Sequence, residues 1–276
     1  VVMFRHATAP GVYDPPGMRL DDCATQRNLD DTGREEARRI GAAMVELRCS
    51  RKLDIAAEPM EHKVNLTLPL PDDPHRLWRR LDGRVRNQVR KAERSGLSVE
   101  QGGAELLDAF YEVFAARMRE LGSPVHGRRF FAAVLDAFGA RARVVVVCKG
   151  ATVVGGLIAL AFKDVLTVPW ASCLSQHLSL CPNMLLYWET MRAACREGLR
   201  SFDFGRSSRG SGTYRFKRQW GAEERPLYWY TLRLGDPGRP RPRAGRAAAL
   251  LSGSWRRLPL ALTRRLGPRI RRYLTQ

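Results

Sequence analysis

Between positions 203 and 217 the chain gathers an acid, cationic groups and hydroxyls: Asp203, Arg206, Ser207, Tyr214 and Lys217. A carboxylate set among guanidinium and ammonium groups can orient a polar substrate and neutralise negative charge. By spacing alone these residues predict a polar site at the end of a strand, the place where α/β proteins tend to keep their chemistry.

The elements around them read in order. Met184, Leu185, Tyr187, Trp188 and Met191 make a broad apolar stripe, and Pro182 suits the first turn of the helix they predict. Gly198 is a natural stop just past its end. Ser201-Phe202-Asp203-Phe204 alternates as a short strand that ends in Gly205-Arg206-Ser207-Ser208 and a Gly/Ser turn. A basic, aromatic-rich segment, 214–221, follows.

The strings VRNQVRKAERSGL, VPWASC, PNMLLYWE, FDFGRSS and GTYRFKRQWGAE occur in this order. Over about residues 59–234 the chain resembles the FemAB-like family, in the branch associated with PEP-CTERM/exosortase systems. The resemblance implies a GNAT-type (N-acetyltransferase) α/β fold, a mixed and largely antiparallel sheet flanked by helices. It also implies transfer of an acyl or aminoacyl group to an amine of a cell-envelope or exopolysaccharide-related substrate. Asp203 would then orient or deprotonate the amine. Lys217, aligned with the lysine of the family's FK motif, would neutralise phosphate or developing charge. Arg206 and Ser207 would line the same pocket, with Tyr214 at its edge.

The totals agree with a folded, anion-attracting protein. The 276 residues are enough for a proper core, and 44% hydrophobic with 27% charged residues is ordinary for a globular chain. A net charge of +19 is not ordinary, and points to phosphates, nucleic acid or acidic headgroups as partners. No apolar run approaches the roughly 20 residues that span a bilayer, and no secretory signal opens the chain, so the expected location is the cytoplasm. Six cysteines without CxxC spacing read as buried free thiols in a reducing compartment, with no metal site.

Residues 1–50 read differently. A short strand runs into Arg5-His6-Ala7, then a Pro/Gly loop, then a helix predicted over about 31–47 with Leu29, Gly33 and Ala37 spaced around its start. This piece resembles the opening of the histidine phosphatase family, which would make His6 the nucleophile and Arg5 a phosphate ligand. Such chemistry also needs a later arginine, a second histidine and an acid. His62, His75, His126 and His177 match no phosphatase motif, so the piece reads as a truncated or fused remnant. A start at Val1 rather than methionine fits that reading.

Residues 62–70 alternate as a half-buried strand, and Asp72-Asp73-Pro74 caps a helix carrying Leu77, Trp78 and Leu81. Seven basic residues and two acids lie between Arg79 and Arg94, mostly in helical register. They are either a solvated face or, as the family resemblance favours, contacts to a phosphate-bearing substrate through Arg86, Arg90 and Lys91. An amphipathic helix over 104–121, a break at Gly122-Ser123-Pro124 and a helix over 130–138 come next. His126, in the turn between them, could be merely solvated or border an acceptor groove. Strands over 143–148, 152–162 and 165–172 would form the central sheet, with Gly150 as a hairpin turn and Gly155-Gly156 as a bulge or close approach. Trp170 and Ser172 would end the third strand at the cleft. The chain lacks a clear Q/R-x-x-G-x-G/A pyrophosphate loop, which tilts the donor toward aminoacyl-tRNA or another group and away from acetyl-CoA; either would be a substrate, with no tightly bound cofactor.

The tail, 236–276, holds eleven arginines and one aspartate, a net +10. Residues 235–245 read as a linker, and 246–276 as an amphipathic segment that either packs back on the domain or touches the inner face of the membrane. The expected organisation is therefore a phosphatase-like fragment (1–50), an acyltransferase domain (59–235) and a basic tail (236–276). Alternatives are an incomplete, non-catalytic anion- or membrane-binding protein, because most of the first of two FemAB halves is missing, and a phosphatase acting through His6.

Overall fold

The computed structural model describes residues 44–55, 57–233 and 252–271. The 1–43 part of the phosphatase-like fragment, with Arg5 and His6, and residues 234–251, which include the 235–245 linker and the start of the amphipathic segment, lie outside them. The chain divides into two compact units. The smaller comprises residues 1–65, 206–214 and 224–242, and the larger 66–205, 215–223 and 243–276.

In the smaller unit β1 (Met44–Cys49) pairs antiparallel with β8 (Glu223–Arg233), Met44 opposite Arg233 and Cys49 opposite Tyr228. This corrects the helix predicted over 31–47, since 44–47 are strand. Val45 is buried there, and Val45-Glu46-Leu47-Arg48 alternates with the period of two that suits a strand as well as it suits one side of a helix. Tyr230 ties down the segment after β1, its hydroxyl accepting from Leu53 N at 2.6 Å.

In the larger unit the strand order is β2-β7-β6-β5-β4-β3, from β2 (Met60–Pro69), β3 (Leu97–Gly102), β4 (Ala142–Lys149), β5 (Thr152–Phe162), β6 (Val165–Cys173) and β7 (Ser201–Ser208). β2 and β7 contribute residues to both units. The β3–β4, β4–β5 and β5–β6 pairs are antiparallel and β6–β7 is parallel. β4 is a valine run because it is covered on both sides. Val144 and Val146 join a cluster with Phe110, Phe114 and Phe131, while Val145 and Val147, equally buried, face the other way.

Two helices supply the cover. α3 (Leu107–Glu120) packs on β4, β5 and β6, and α5 (Pro182–Arg196) packs on β3, β4, β5 and β6. α5 buries a broad apolar stripe and keeps Glu189, Arg192 and Arg196 together on its other side. Tyr187 on it stacks against Phe204 at 5.6 Å and meets Phe216 edge-on at 5.1 Å. Asp73 and Asp82 cap α1 (Pro74–Arg80) and α2 (Gly83–Arg94), accepting from His75 N at 2.9 Å and Arg84 N at 2.7 Å. β3 escaped the sequence reading because only Leu97 is buried; it is an edge strand with a polar face.

The end of β7 also departs from expectation. The short strand predicted over 201–204 runs on through 205–208, bent at Gly205, where φ is +72°. The turn comes at 209–211, and the basic segment forms α6 (Gly212–Arg218). Cys148, Cys173, Cys181 and Cys195 are free thiols, and four of the five described cysteines, Cys49 among them, are buried.

The tail's described part is a short helix over 252–257 and α7 (Leu260–Arg271), packed on the larger unit. Arg264 forks onto Glu112 of α3 (Nη1 to Oε2, 2.9 Å) and lies over Tyr111 at 5.3 Å. Gly267 lets α7 come against Val125, where a Cβ would meet backbone N and O at 3.1 Å. At its end Arg271 Nε donates to His126 Nε2 over 3.2 Å, and His126 stacks on Phe130 of α4 (Arg128–Phe138) at 4.4 Å. Burial, with the Arg271 charge beside it, lowers the His126 pKa to about 4 from an ordinary 6.5.

Two predictions follow from this packing. A Cβ on Gly155 would sit 2.7 Å from Cys173 Sγ. Gly155→Ala should cost about 1–3 kcal/mol in urea unfolding, and adding Cys173→Ala should recover part of it. His126 binds its proton more weakly folded than unfolded, so its contribution is complete above pH 6.5 and is lost as pH falls toward 4. Stability should decline through that window, and His126→Gln should flatten the decline.

Candidate functional site

The parallel pairing of β6 with β7 is short. Val165, Leu166 and Thr167 stand opposite Ser201, Phe202 and Asp203, and among the described residues the ladder goes no further. β6 nevertheless continues to Cys173, so the strands part just where Asp203 stands. Both predicted catalytic residues then converge on the backbone of one residue, Gly205. Asp203 Oδ1 accepts from Gly205 N at 2.7 Å, and Lys217 Nζ donates to Gly205 O at 3.0 Å. Lys217 is only 8% exposed. Its helix is seated by Phe216 against Tyr187 and by the fully buried Trp220, after which Gly221, at φ +84°, turns the chain.

Arg206, Ser207 and Tyr214 belong to the smaller unit. Arg206 lies over the Trp229 ring at 5.7 Å, a ring that Arg48 also covers at 4.0 Å. Partial burial and the neighbouring Arg48 charge lower the Arg206 pKa. Ser207, buried, donates to Thr213 Oγ1 at 3.4 Å, and the Tyr214 hydroxyl bonds the Glu224 carboxylate. The partners come from neighbouring elements, Trp229 and Glu224 from β8 and Thr213 from the start of α6.

His126, Trp170 and Ser172, expected at a cleft, do come together. They line a recess of about 180 Å³ with Phe114, Met118 and Arg271. Trp170 is held edge-on by Phe130 at 5.6 Å and Phe131 at 5.3 Å. Arg271 was missed. In the sequence it is one of eleven tail arginines, and only the tail's apolar pattern hinted that the helix folds back.

A second, larger cleft of about 560 Å³ lies at the corner between α1 and α2, lined by Arg80, Asp82, Arg84, Arg218 and Trp220. Its three guanidinium groups outnumber the one carboxylate, which is turned to capping its own helix. Arg86, Arg90 and Lys91 do not line it. On α2, Arg86 and Arg90 fall about 200° and 240° round from Arg84, and Lys91, though on its side, lies about 10 Å further along the axis. Arg90 instead lies over Trp78 at 5.6 Å. Arg80, Arg84 and Arg218 were present in the basic strings but could not be told from their neighbours. Among the described residues no group of three metal-ligating side chains occurs.

No curated protein sequence matches the chain. Solved structures do. FemX superposes with a TM-score of 0.58 at 14% identity, covering 73% of this chain and 75% of FemX. The C-terminal domain of a protein described as a lysylphosphatidylglycerol synthetase, from Agrobacterium fabrum, gives 0.56 at 14% identity, over 83% of this chain and 79% of that one. A tandem GNAT protein from the clavulanic acid biosynthesis pathway gives 0.50 at 12% identity, over 74% and 68%. At these identities the likeness is one of fold: a mixed, mostly antiparallel sheet flanked by helices. The family model described as an acetyltransferase (GNAT) domain matches residues 79–218, which span β3 to β7, the parted strands and Lys217. The chain belongs to the GNAT acetyltransferase family.

Proposed function

We propose that this GNAT-fold acyltransferase is FemAB-like, of the PEP-CTERM/exosortase-associated branch, and moves an acyl or aminoacyl group to an amine of a cell-envelope or exopolysaccharide-related substrate. The observation that carries the reading is the buried ammonium of Lys217, set on the Gly205 carbonyl where β6 and β7 part. A cation so shielded from water exerts a stronger field than one on the surface, and developing negative charge is what such a field stabilises. FemX and the lysylphosphatidylglycerol synthetase domain among the structural neighbours support the aminoacyl and cell-envelope side of the reading.

In the reaction an amine nitrogen attacks the carbonyl of an activated ester or thioester. The new N–C bond forms, the oxyanion collapses, the C–O or C–S bond breaks, and the amine gives up a proton. Asp203 orients the amine and takes part in removing that proton, while its hydrogen bond to Gly205 N keeps the strand end in shape. Lys217 answers the oxyanion or the donor's phosphate. The donor is a substrate, released after each turnover. The missing pyrophosphate loop favours aminoacyl-tRNA over acyl-CoA, and the arginine-lined cleft offers its phosphates a place.

In the alternative, the chain is an incomplete enzyme that binds anions or a membrane surface. The fold-back of residues 252–271 onto α3 favours the tail as part of the domain, and the His6 phosphatase reading concerns residues outside the described ones. The division into a 1–50 fragment, a 59–235 domain and a basic tail stays part of this proposal.

Lys217→Ala should lower kcat/KM for transfer about 10²–10³-fold with unchanged circular dichroism, and Asp203→Asn should lower kcat with KM little altered. Undiminished transfer by either folded variant removes its assignment. Sedimentation with phosphatidylglycerol vesicles should be no greater for the full chain than for one ending at 235; tail-dependent pelleting would return the membrane reading.

A further inference from the structure

Arg271 is a charge buried without a counterion. It is only 7% exposed, and among the described residues its one hydrogen bond runs from Nε to His126 Nε2. Among the described residues no carboxylate is paired with it, and burial lowers its pKa. His126 cannot supply the missing negative charge, being a neutral acceptor at most. Two terminal nitrogens of the guanidinium are left without a partner, on a side chain that lines the 180 Å³ recess. Elsewhere on α7 and α3 the chain shows what it does with an arginine it needs only for docking: Arg264 is matched to Glu112. Burying a guanidinium costs several kcal/mol unless its charge and donors are met, so a group that meets them belongs in the recess.

The geometry points to the recess as a binding site for the carboxylate of a small, amino-acid-sized substrate, taken by the fork of Arg271. The remaining walls fit that class. Phe114, Met118 and Trp170 offer apolar contact to a short aliphatic stem, and Ser172 adds a hydroxyl. The volume lies below the ~300 Å³ where pockets for larger ligands begin. Guanidinium meets a carboxylate with two parallel hydrogen bonds, the arrangement its two terminal nitrogens leave open. The inference rests on the acyl-transfer reading for its purpose: the acceptor amine, or the donor's aminoacyl group, would carry or adjoin this carboxylate. The binding itself is independent of that reading.

The test is calorimetry on the full chain without any acyl donor. The probes are 5-aminopentanoate, its neutral amide 5-aminopentanamide, and 4-aminobutylphosphonate, with the His126 ring signals followed by NMR. The carboxylate should bind and shift the His126 signals, and the amide should bind at least about tenfold more weakly. Arg271→Gln should lose the carboxylate by a similar factor, and Arg271→Lys, which keeps charge but not the fork, should fall between. Equal binding of the amide, tighter binding of the phosphonate, no binding at millimolar concentration, or full binding by a folded Arg271→Gln chain would each overturn the inference. Failure of acyl transfer alone would leave it standing. An active transferase whose acceptor fills the recess without a carboxylate would sink this inference and spare the transferase.

Discussion

The backbone of one residue, Gly205, holds the arrangement together. Its N–H is taken by Asp203, its carbonyl by Lys217, and its backbone adopts a left-handed φ that glycine takes at least cost. The result is a kink in β7 two residues after its pairing with β6 ends. A carboxylate and a buried ammonium are thereby fixed at one end of a gap in the sheet. The aromatic packing of Tyr187, Phe204, Phe216 and Trp220 serves the same end, because it seats the helix that delivers Lys217. Without that packing the lysine would be a flexible surface cation, worth little to catalysis.

Charge sorts itself by place. The arginine excess that makes the chain so basic is not spread evenly in function. Arg264 is spent on docking α7, Arg90 and Arg206 lie on tryptophan rings, and Arg80, Arg84 and Arg218 collect round a cleft. Arg271 is the exception, buried and, among the described residues, without an anion. Net charge alone pointed to anionic partners; only the fold separates the arginines that build the protein from those with charge to offer.

The strong periodicities were legible. The apolar stripe of α5, the valine run of β4, the alternation of β2 and the caps at Asp73 and Asp82 each follow from local chemistry, and each element lies where its residues place it. Edges were not legible. β3 has almost no apolar face because it pairs on one side only, and β1 alternates over so short a run that it passed for a helix end. The polar residues of FDFGRSS read as the point where the strand stops, because glycine and serine favour turns; sheet pairing carries the strand through them. Of the site, Asp203 and Lys217 were found through a motif, and His126, Trp170 and Ser172 through their positions at element ends. Arg271 was out of reach, since a contact between positions 126 and 271 leaves no trace in local pattern.

The central claim, that this chain moves an acyl group onto an amine, is tested most directly by transfer itself. The purified full chain would be given acetyl-CoA or a pool of aminoacyl-tRNAs bearing labelled amino acids, with L-lysine as the amine, and the products read by mass spectrometry. The account predicts a new amide on lysine that carries the donor's group, formed faster than without protein. Label that stays on tRNA and CoA, at the uncatalysed rate, in the presence of the folded chain would contradict it.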